Sequence, residues 1–510
     1  MNNFNKDIIK ELIKIKAGSP SDLSSAKRRL AKKHKSPFPN NISLLKTYHE
    51  LLRDKSIRLS KTIELLLKTR PVRSLSGIVN VAVLTKPYPC PGKCIFCPTE
   101  KGIPKSYLSG EPAVERAKKL RFDPYLQVKQ RIEMLENEGH PTDKIELRII
   151  GATWSFYPKK YQDWFIKKCF DACLKKNAGN LKQAQKLNER AKHRIVGMSV
   201  ETRPDFIDEK EVERLRNLGI TMVELGVQSI YDDVLKLNRR GHQIKETVRA
   251  TRILKDAGFK ILYQMMLNLP GSNLKQDEKM FEELFSNPDF QPDLLKIYPC
   301  ALLKEAPLYQ QWKKGKFRPY KEKQLEKIIK RIKKKIPYYV RIQRITRDIP
   351  SQRIAAGATK ISNLRQKISK QSECRCIRCR EIKEKYDRKE KVFLFRQEYF
   401  ASGGKEIFLS LENKERTKLY SLVRLRLSSK GKALIRELHT YGQLVSIGES
   451  KSNRSAQHKG MGKKLIKEAE KTAEKEFKVK KIAVISGVGA RDYYKKLGYK
   501  LEDAYMVKNI

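Results

Sequence analysis

The sequence contains few acidic residues for its length and no long apolar run. Aspartate and glutamate number 57 against 111 lysines and arginines, so the net charge is +54. An excess of this size excludes an acidic surface and favours a polyanionic partner, with nucleic acid as the leading candidate. Because no run of roughly eighteen apolar residues occurs and the N-terminus lacks the pattern of a secretory signal, we expect a cytoplasmic protein without membrane spans.

Cysteine is also scarce. The nine cysteines are too few, and odd in number, for a disulfide framework in a chain of 510 residues. Six of them form two tight clusters, which suits metal ligation better than disulfide bonding. Disorder is excluded for most of the chain, because 39% of the residues are hydrophobic and 21 tyrosines and 18 phenylalanines can fill cores. The length exceeds what one core supports, so several domains are expected.

The patterning of the sequence divides the chain into four parts. From residue 79, short β-rich runs alternate with longer amphipathic helical stretches, which is typical of parallel strands joined by helical crossovers. Six such runs predict an α/β fold with a partial (βα)6 barrel, whose chemistry lies at the carboxyl ends of its strands. The predicted parts are a basic helical region at 1–75, the barrel at 76–350, a metal-stapled linker at 351–392 and a compact α+β domain at 393–510.

The N-terminal region carries lysine and arginine at helical spacing between isoleucines and leucines. Such a pattern predicts small amphipathic helices with a basic face. The charge of the whole chain makes RNA binding by this face one reading, and an ordinary solvated helix face is the other. The residues concerned are Lys27, Arg28, Arg29, Lys32 and Lys33.

Three cysteines follow the first predicted strand of the barrel. Cys90, Cys94 and Cys97 place three thiols in one short loop, which can wrap around an iron–sulfur cluster. Three protein ligands leave one iron open to chelate S-adenosylmethionine and to pass an electron to its sulfonium, which yields a 5′-deoxyadenosyl radical. The CxxxCxxC spacing resembles that of the radical SAM superfamily and predicts a 4Fe-4S cluster. A structural zinc site is the alternative.

Polar or glycine-containing segments end the next three predicted strands. They are Gly151–Trp154, Glu201–Asp205 and Glu224–Ser229. Because barrel sites are built where strands end, these segments mark the expected position of the site. Backbone groups of the first segment could hold the methionine moiety of S-adenosylmethionine. A plain tight turn is the alternative for Gly151–Trp154.

The C-terminal domain contains a second candidate site. A QxxGxG segment opens a helix after a strand, and successive N–H groups at a helix start can bind pyrophosphate. The segment resembles the acetyl-CoA loop of GNAT acetyltransferases, and a tyrosine in RDYYKKLGY resembles the one that meets the coenzyme A sulfur. A core role is the alternative for that tyrosine. The predicted ligands are Glu437, Leu438, His439 and Thr440 on the preceding strand, Gln457, Gly460, Met461, Gly462 and Lys463 in the loop, and Tyr494 as the catalytic group.

The two halves together resemble the family of the Elongator catalytic subunit, the tRNA uridine acetyltransferases, which joins a radical SAM barrel to a GNAT domain. The motifs that carry the resemblance include VRSLSGIVNVAVLTKPYPCPGKCIFCP, ELGVQSIYDDVLKLNRRGH and ISGVGARDYYKKLGYKLEDAYMVK. The resemblance implies that the radical takes hydrogen from the methyl group of acetyl-CoA, that the carbon radical attacks carbon 5 of the wobble uridine of tRNA, and that hydrolysis leaves a carboxymethyl group. It implies the tRNA anticodon arm and an electron donor as partners.

The resemblance also assigns further residues. Lys144 matches a contact of the family to acetyl-CoA, and Cys374, Cys376 and Cys379 match its zinc motif, with redox-sensing thiols as the alternative. Two other functions stay open from the residues alone. One is a protein lysine N-acetyltransferase with a structural iron–sulfur scaffold, and the other is an RNA-binding scaffold without enzymatic activity.

Overall fold

The computed structural model describes residues 3–357, 364, 368, 373–384, 386–429, 431–447 and 455–510. Within these ranges the chain forms an N-terminal helical domain, an open barrel of parallel strands and a C-terminal domain built on a second sheet. None of the described helices combines the length and the apolar character that a membrane crossing needs.

The N-terminal domain is a four-helix unit with its own hydrophobic core. Side-chain caps begin the second and third helices, since Ser19 accepts from Asp22 N and Asn40 accepts from Ser43 N. The helices are α1 (Asn3–Lys14), α2 (Pro20–Lys33), α3 (Asn41–Arg53) and α4 (Lys61–Leu67).

Lys27 was predicted to lie on the RNA-binding face, and this prediction was wrong because its side chain is buried. Lys27 is only 5% exposed, and its ammonium donates to Pro39 O at 2.9 Å and to Asn41 Oδ1 at 2.5 Å. It therefore holds the link between α2 and α3 and is not free to contact RNA. The other four candidates, Arg28, Arg29, Lys32 and Lys33, are exposed.

The barrel contains the six predicted strands and a seventh that the prediction missed. Every neighbouring pair is parallel, and the two edge strands do not meet, so the barrel is open on one side. The strands in spatial order are β1 (Val79–Leu84), β2 (Lys144–Ile150), β3 (Arg194–Thr202), β4 (Met222–Gln228), β5 (Lys260–Leu267), β6 (Leu294–Pro299) and β8 (Arg341–Ile345). A short antiparallel pair, β7 (Leu302–Leu303) and β9 (Ile354–Ala356), lies beyond the sheet.

Helices cover the outside of the barrel because alternate strand residues are apolar. On β4, Val223, Leu225 and Val227 join the core beneath the helices, whereas Glu224 points inward and pairs with Lys296. The helices of this part are α5 (Pro112–Lys119), α6 (Pro124–Asn137), α7 (Lys159–Asp171), α8 (Leu181–Asn188), α9 (Glu209–Asn217), α10 (Asp232–Leu237), α11 (Ile244–Asp256), α12 (Leu274–Ser286), α13 (Leu308–Lys313) and α14 (Glu322–Lys335).

The C-terminal domain begins after a short helix of the linker. Four antiparallel strands continue into a parallel pairing and a final hairpin, in the order β10-β11-β12-β13-β14-β16-β15. The elements are α15 (Ile377–Arg380), β10 (Phe393–Ala401), β11 (Gly404–Glu412), β12 (Leu419–Leu427), β13 (Ala433–Thr440), α16 (Met461–Lys471), β14 (Lys481–Val484), α17 (Arg491–Lys495), β15 (Lys500–Glu502) and β16 (Tyr505–Asn509).

A layer of buried ion pairs joins this sheet to the barrel. Arg436 donates to Asp293 at 2.5 Å and to Glu406 at 2.8 Å, and Arg426 donates to Asp256 at 2.7 Å and to Glu406 at 2.9 Å. Both guanidinium groups are fully buried. We call these five residues the ionic interface. It fixes the C-terminal sheet against the barrel, because charges buried this deeply tolerate no loss of their partners.

Candidate active sites at the two ends of the barrel

The three N-terminal cluster cysteines lie in the loop between β1 and α5 and line a cavity of about 340 Å³. Backbone bonds fix the loop, because Ile95 N donates to Asn238 O at 3.2 Å and Leu308 N donates to Ile95 O at 2.8 Å. The carboxyl ends of the barrel strands form another part of the cavity, including Glu201 on β3 and Gln264 on β5, and loop and α5 residues complete it. The predicted end of the barrel therefore holds the thiols.

The spread of the three thiols suits a multi-iron cluster. Among the described residues, the only three metal-ligating atoms found within 4.8 Å of one another belong to a different group, so Cys90, Cys94 and Cys97 do not converge on one ion. Gly92 lies between them, and a Cβ there would stand 3.5 Å from the Cys94 sulfur and 3.7 Å from the Cys90 sulfur. Burial raises the pKa of Cys97 to about 12, so a bound metal has to stabilise its thiolate.

Cations with unused hydrogen-bonding groups surround the cysteines. Arg240 Nη1 lies 3.6 Å from the Cys94 sulfur, and its Nε is buried without a hydrogen-bond partner among the described residues. Arg203 is held by Asp205 at 2.8 Å, while its Nη1 is buried beside Gly92 and forms no hydrogen bond within the described part of the chain. Buried donors of this kind call for an anionic group, which a cluster with thiolate ligands would provide.

An ion-pair network forms the floor of the cavity, and of its members the sequence analysis named only Glu201 and Glu224. Glu201 accepts from Tyr107 Oη at 2.8 Å and from both Gln264 Nε2 and Lys296 Nζ at 3.0 Å. One layer deeper, Lys296 also pairs with Glu224, which Arg148 contacts at 2.9 Å. Polar residues at alternate positions of otherwise apolar strands were the signal, since those positions face the barrel interior.

The predicted strand-end segments contribute in part. Gly151 has a φ of +126°, and a Cβ there would stand 2.1 Å from Thr85 Oγ1, so only glycine fits this turn. Ala152 and Thr153 line the cavity, as do Glu201–Arg203, Gly226 and Gln228. Trp154 instead packs into the core beneath the helices, where it is 1% exposed.

A second cavity of about 550 Å³ lies between the C-terminal domain and the barrel. It brings together every cofactor-binding residue predicted from the sequence. These residues are Lys144, Glu437, Leu438, His439, Thr440, Gln457, Gly460, Met461, Gly462, Lys463 and Tyr494.

Two strands that part from each other open this cavity. β13 pairs with β14 only through Ala433–Ile435, and the rest of β13 has no partner on that side among the described residues. Gly460 begins α16 with a φ of +79° and no side-chain cap. The unpaired edge of β13 and the first N–H groups of α16 therefore both face this cavity. Such an edge can bind an extended arm, and such a helix start can bind a pyrophosphate.

Lys144 and Gln457 tie the two domains together at this cavity. Gln457 donates to Gly77 O at 3.0 Å and to Thr440 O at 3.1 Å, and it accepts from Lys144 Nζ at 3.1 Å. Lys144 also donates to Val445 O at 2.8 Å. Burial lowers the pKa of Lys144 from its ordinary value near 10.5 to about 8.

Two neighbouring tyrosines border the same space. The Tyr494 ring is 5% exposed, makes edge contacts with Tyr493 and Tyr499, and has no hydroxyl hydrogen bond to another described residue. Tyr493 is 40% exposed, and its hydroxyl would stand 3.0 Å from a Cβ at Gly462. Tyr493 is therefore a further lining residue of the cavity, beyond those predicted from the sequence.

The two cavities lie at opposite ends of the same strands. On β2, Lys144 and Glu146 at the start line the second cavity, whereas Arg148 and Ile150 line the first. The starts of β3 and β5 likewise line the second cavity and their ends line the first. Inward-facing polar side chains fill the barrel between them.

The second cysteine cluster forms a compact set of thiols in the linker. The sulfurs of Cys374, Cys376 and Cys379 lie within 4.8 Å of one another. Ile377 N donates to Val340 O at 2.9 Å, so the cluster is attached to the end of the barrel beside β8. Three converging thiols are a donor set that suits zinc.

Comparisons with known proteins agree with both cavities. Residues 88–284 match the radical SAM superfamily, 292–373 a radical SAM C-terminal domain, and 453–509 a GNAT acetyltransferase domain. The tRNA uridine(34) acetyltransferase of Methanocaldococcus infernus is 47% identical over 87% of this chain and 88% of its own length. Human Elongator complex protein 3 is 37% identical over 98% of this chain and 96% of its own.

A solved structure leads to the same assignment. The structure of the archaeal Methanocaldococcus infernus Elongator protein 3 with an N-terminal deletion superimposes with a TM-score of 0.75 at 43% identity. It covers 86% of this chain and 100% of that one. Because the likeness extends over nearly the whole chain at identities of 37–47%, this chain belongs to the family of the tRNA uridine(34) acetyltransferases and Elongator complex protein 3.

Proposed function

We propose that this protein is a tRNA-modifying enzyme that installs a carboxymethyl group on carbon 5 of the wobble uridine in the anticodon. A carbon–carbon bond forms between the acetyl methyl carbon and uridine carbon 5, and hydrolysis of the thioester releases coenzyme A. The methyl hydrogen would leave as a hydrogen atom on 5′-deoxyadenosine, and the hydrogen of carbon 5 as a proton whose electron returns to the redox cofactor. S-adenosylmethionine, cleaved to methionine and 5′-deoxyadenosine, would thus be the oxidant. A 4Fe-4S cluster with S-adenosylmethionine, when bound at Cys90, Cys94 and Cys97, supplies the radical chemistry for removing a methyl hydrogen.

The observation that carries this proposal is the placement of two cavities at the two ends of one set of strands. The thiol-lined cavity suits a radical cofactor, and the other suits an acyl donor with a pyrophosphate. Separate reactions would not require Glu146 of the donor cavity to lie two residues from Arg148 of the thiol cavity on the same strand. One reaction that consumes both cofactors accounts for the arrangement.

The residues of the chain have distinct tasks in this reaction. The start of α16 and the ammonium of Lys144 would hold the phosphates of the donor, while the free edge of β13 would hold its extended arm. Tyr494, which lines the same cavity, would donate its hydroxyl hydrogen to the sulfur as the thioester breaks. Glu201 and Lys296 would bind the polar edge of the flipped uridine at the other end.

Protein lysine N-acetylation, the alternative, finds less support. An amine substrate must lose a proton to a base, and the carboxylates that line the donor cavity are Glu146, Glu437 and Asp492. Each of the three lies within 4.0 Å of a lysine ammonium. Glu437 is paired with Lys260 at 3.1 Å and with Arg424 at 2.8 Å, and these charges hold its pKa near 2 despite its burial. A carboxylate this weakly basic is a poor proton acceptor at neutral pH.

Anaerobic reconstitution tests the proposal. The protein is loaded with iron and sulfide, then incubated with a reductant, S-adenosylmethionine, acetyl-CoA and tRNA, and the nucleosides are analysed by mass spectrometry. Carboxymethyluridine and free coenzyme A in equal amounts are expected. Cleavage of S-adenosylmethionine without a modified uridine would contradict the proposed substrate, and an acetylated protein in place of modified tRNA would favour the alternative.

Lys144 should make coenzyme A binding sensitive to alkaline pH. Its ammonium loses a proton as the pH rises through about 8, and phosphates bind the charged form. We expect affinity to be highest below that pH and to fall above it. Lys144→Met should bind about tenfold or more weakly near neutrality and lose the alkaline dependence. Calorimetry at neutral and alkaline pH measures the affinity for coenzyme A and its pH dependence. Lys500→Met, at an exposed lysine, is the control. An unchanged pH profile in Lys144→Met would remove the lysine from the site.

Tyr494→Phe should slow the release of coenzyme A by about 10²-fold while leaving the iron content intact. The change removes only a hydroxyl that no described residue binds. Tyr499→Phe is the matched control, because its hydroxyl contacts Glu470 at 2.8 Å, away from the cavity. A thiol-specific reagent measures the released coenzyme. Wild-type release by Tyr494→Phe would show that this hydroxyl has no part in the reaction.

We also propose that Cys374, Cys376 and Cys379 bind one zinc ion as a structural staple between the barrel and the C-terminal domain. Cys376→Ser is expected to lose the zinc and to lower the midpoint of thermal unfolding, with the iron content unchanged. Metal analysis by mass spectrometry checks this, and Cys300→Ala serves as a buried-cysteine control. Full zinc content in Cys376→Ser would contradict the assignment.

A further inference from the structure

A third cavity lies on the open side of the barrel, against the edge strand β1. It measures about 240 Å³ and is enclosed mainly by α5 and α6. Gln127 of α6 fixes this wall, because its side-chain amide accepts from Leu84 N at 2.9 Å and donates to Leu84 O at 3.0 Å. The amide thereby satisfies backbone groups that a neighbouring strand would otherwise bind. Specific hydrogen bonds therefore hold α6 against the edge strand and maintain this cavity.

Two arginines line this cavity without an acidic partner. Arg116 of α5 has no hydrogen bond or ion pair to another described residue, and Arg131 of α6 contacts only Met134 Sδ, at 3.1 Å. No carboxylate lines the cavity. A third arginine nearby, Arg73, does not line the cavity and is paired with Glu138. Burial, and after it repulsion by neighbouring arginines, lowers the pKa of both lining arginines, Arg116 through Arg73 and Arg131 through Arg73 and Arg116. The pKa of Arg131 falls to about 10, although Glu138 opposes the shift.

This arrangement is unfavourable unless an anion completes it. Partly buried guanidinium groups that repel each other lose both hydration and charge balance. A phosphate oxygen would restore both, since guanidinium groups bind phosphate with paired hydrogen bonds. The neutral side chains of Gln127 and Gln130 add polar groups to the wall without adding negative charge.

The position of the cavity identifies the anion. Arg116 and Ala82 line both this cavity and the thiol cavity, so the two spaces adjoin at the open side of the barrel. A uridine that enters the thiol cavity brings its backbone to that opening, because the bases and phosphates of an RNA strand are covalently linked. We infer that Arg116 and Arg131 bind a backbone phosphate of the tRNA anticodon loop next to the uridine that is modified. The inference rests on the proposed function.

The test uses the full chain and an anticodon stem–loop RNA, without S-adenosylmethionine or acetyl-CoA. Fluorescence anisotropy compares wild type with R116Q/R131Q and with K119Q/K129Q. The control pair lies on the same two helices, is exposed and removes the same charge. In a second RNA, uncharged methylphosphonate linkages replace the phosphates on either side of the target uridine. Unfolding midpoints of all variants are recorded.

R116Q/R131Q should lower RNA affinity about tenfold or more, and the slope of log affinity against log salt should become shallower by roughly 1 for each phosphate that the variant no longer binds. The methylphosphonate linkages should lower the affinity of the RNA for wild type. They should have no further effect on its affinity for R116Q/R131Q, which no longer binds that phosphate. Because the substitutions relieve repulsion, the variant should be as stable as wild type. R116K/R131K, which keeps both charges, should lose less than the glutamine pair.

Other results would overturn the inference. Equal losses in the arginine and control pairs would mean a diffuse charge effect, and a persisting methylphosphonate effect in R116Q/R131Q would place the phosphate elsewhere. Unchanged RNA affinity together with a raised KM for S-adenosylmethionine would assign the cavity to a carboxylate of that cofactor. Binding is measured without catalysis, so failure of the proposed function would appear separately, as wild-type protein that binds this RNA but forms no carboxymethyluridine.

Discussion

Cys94→Ala is expected to abolish carboxymethyluridine formation entirely while leaving tRNA affinity unchanged. Cys94 is the most buried thiol of its loop at 6% exposure and the one that Arg240 approaches. Losing it removes one of three ligands from a cluster that needs all of them to leave a single iron open. Since radical formation has no substitute route in the protein, a partial loss is not expected. Nucleoside mass spectrometry measures the product, and anisotropy measures tRNA binding.

Cys173→Ala is the matched control, because Cys173 is a buried thiol of the barrel core at 3% exposure, outside both cavities. It should keep the iron content and the product. Carboxymethyluridine formed by Cys94→Ala at the wild-type rate would show that the chemistry does not depend on this loop. Protein acetylation that persists in the same variant would point to the lysine acetyltransferase reading.

Arg436→Met should destabilise the protein by about 3–5 kcal/mol, the cost typical of breaking a buried ion pair from one side. The substitution removes the shortest ion-pair partner of buried Asp293 and one of the partners of buried Glu406, which keep only Arg424 at 3.5 Å and Arg426 at 2.9 Å, respectively, together with the nearby Lys255. Arg436 holds the pKa of Asp293 well below its ordinary value of 3.8, and burial alone would raise it. Asp293 therefore stabilises the wild type above its unfolded pKa, and this stabilisation is lost as the pH falls through the folded value.

The free energy of unfolding in urea at several pH values measures this effect. The difference between wild type and Arg436→Met should narrow as the pH falls below about 4, because protonation removes the charges that have lost Arg436. Arg396→Met, which breaks an exposed pair with Glu476, should cost less than about 1 kcal/mol. A loss of that small size for Arg436→Met would mean that the ionic interface contributes little to stability.

The barrel was predictable because its outward strand residues are apolar and recur with period two. The missed strand β8 reads RIQRI, in which three of five residues are polar, so its pattern is that of an exposed segment. The structure supplies the reason: Arg341 pairs with Glu381 at 2.8 Å and Gln343 contacts Arg148 at 3.1 Å inside the barrel. Periodicity alone cannot reveal an interior that is polar.

Sequence periodicity also failed to reveal the ionic interface. Arg424 and Arg426 alternate with leucines on β12, a pattern that ordinarily marks one buried and one solvated face. Here all nine residues of the strand are buried, because the face that looks solvated packs against the barrel. Only the partner domain explains the burial, and no local pattern within β12 refers to it.

The candidate sites were more accessible to sequence reasoning than the contacts around them. Tight spacing identified the cysteine loop, and the turn before α16 identified the donor cavity. The basic face of α2 was predicted as a unit, although Lys27 folds inward to hold a neighbouring loop. Single-residue roles of this kind depend on long-range packing, which a helical repeat does not encode.

The ionic interface has a consequence for the history of the chain. Arg426 and Arg436 belong to one domain, and Asp256 and Asp293 to the other, so neither domain carries the complete set of buried charges. A gene fragment encoding the C-terminal half alone would leave guanidinium groups on a surface shaped to be covered. A recombinant that joins halves from two relatives can fold only if both parents kept the same charge pairs. We therefore expect substitutions in one half to be tolerated only together with matching changes in the other, although the two halves have separate folds.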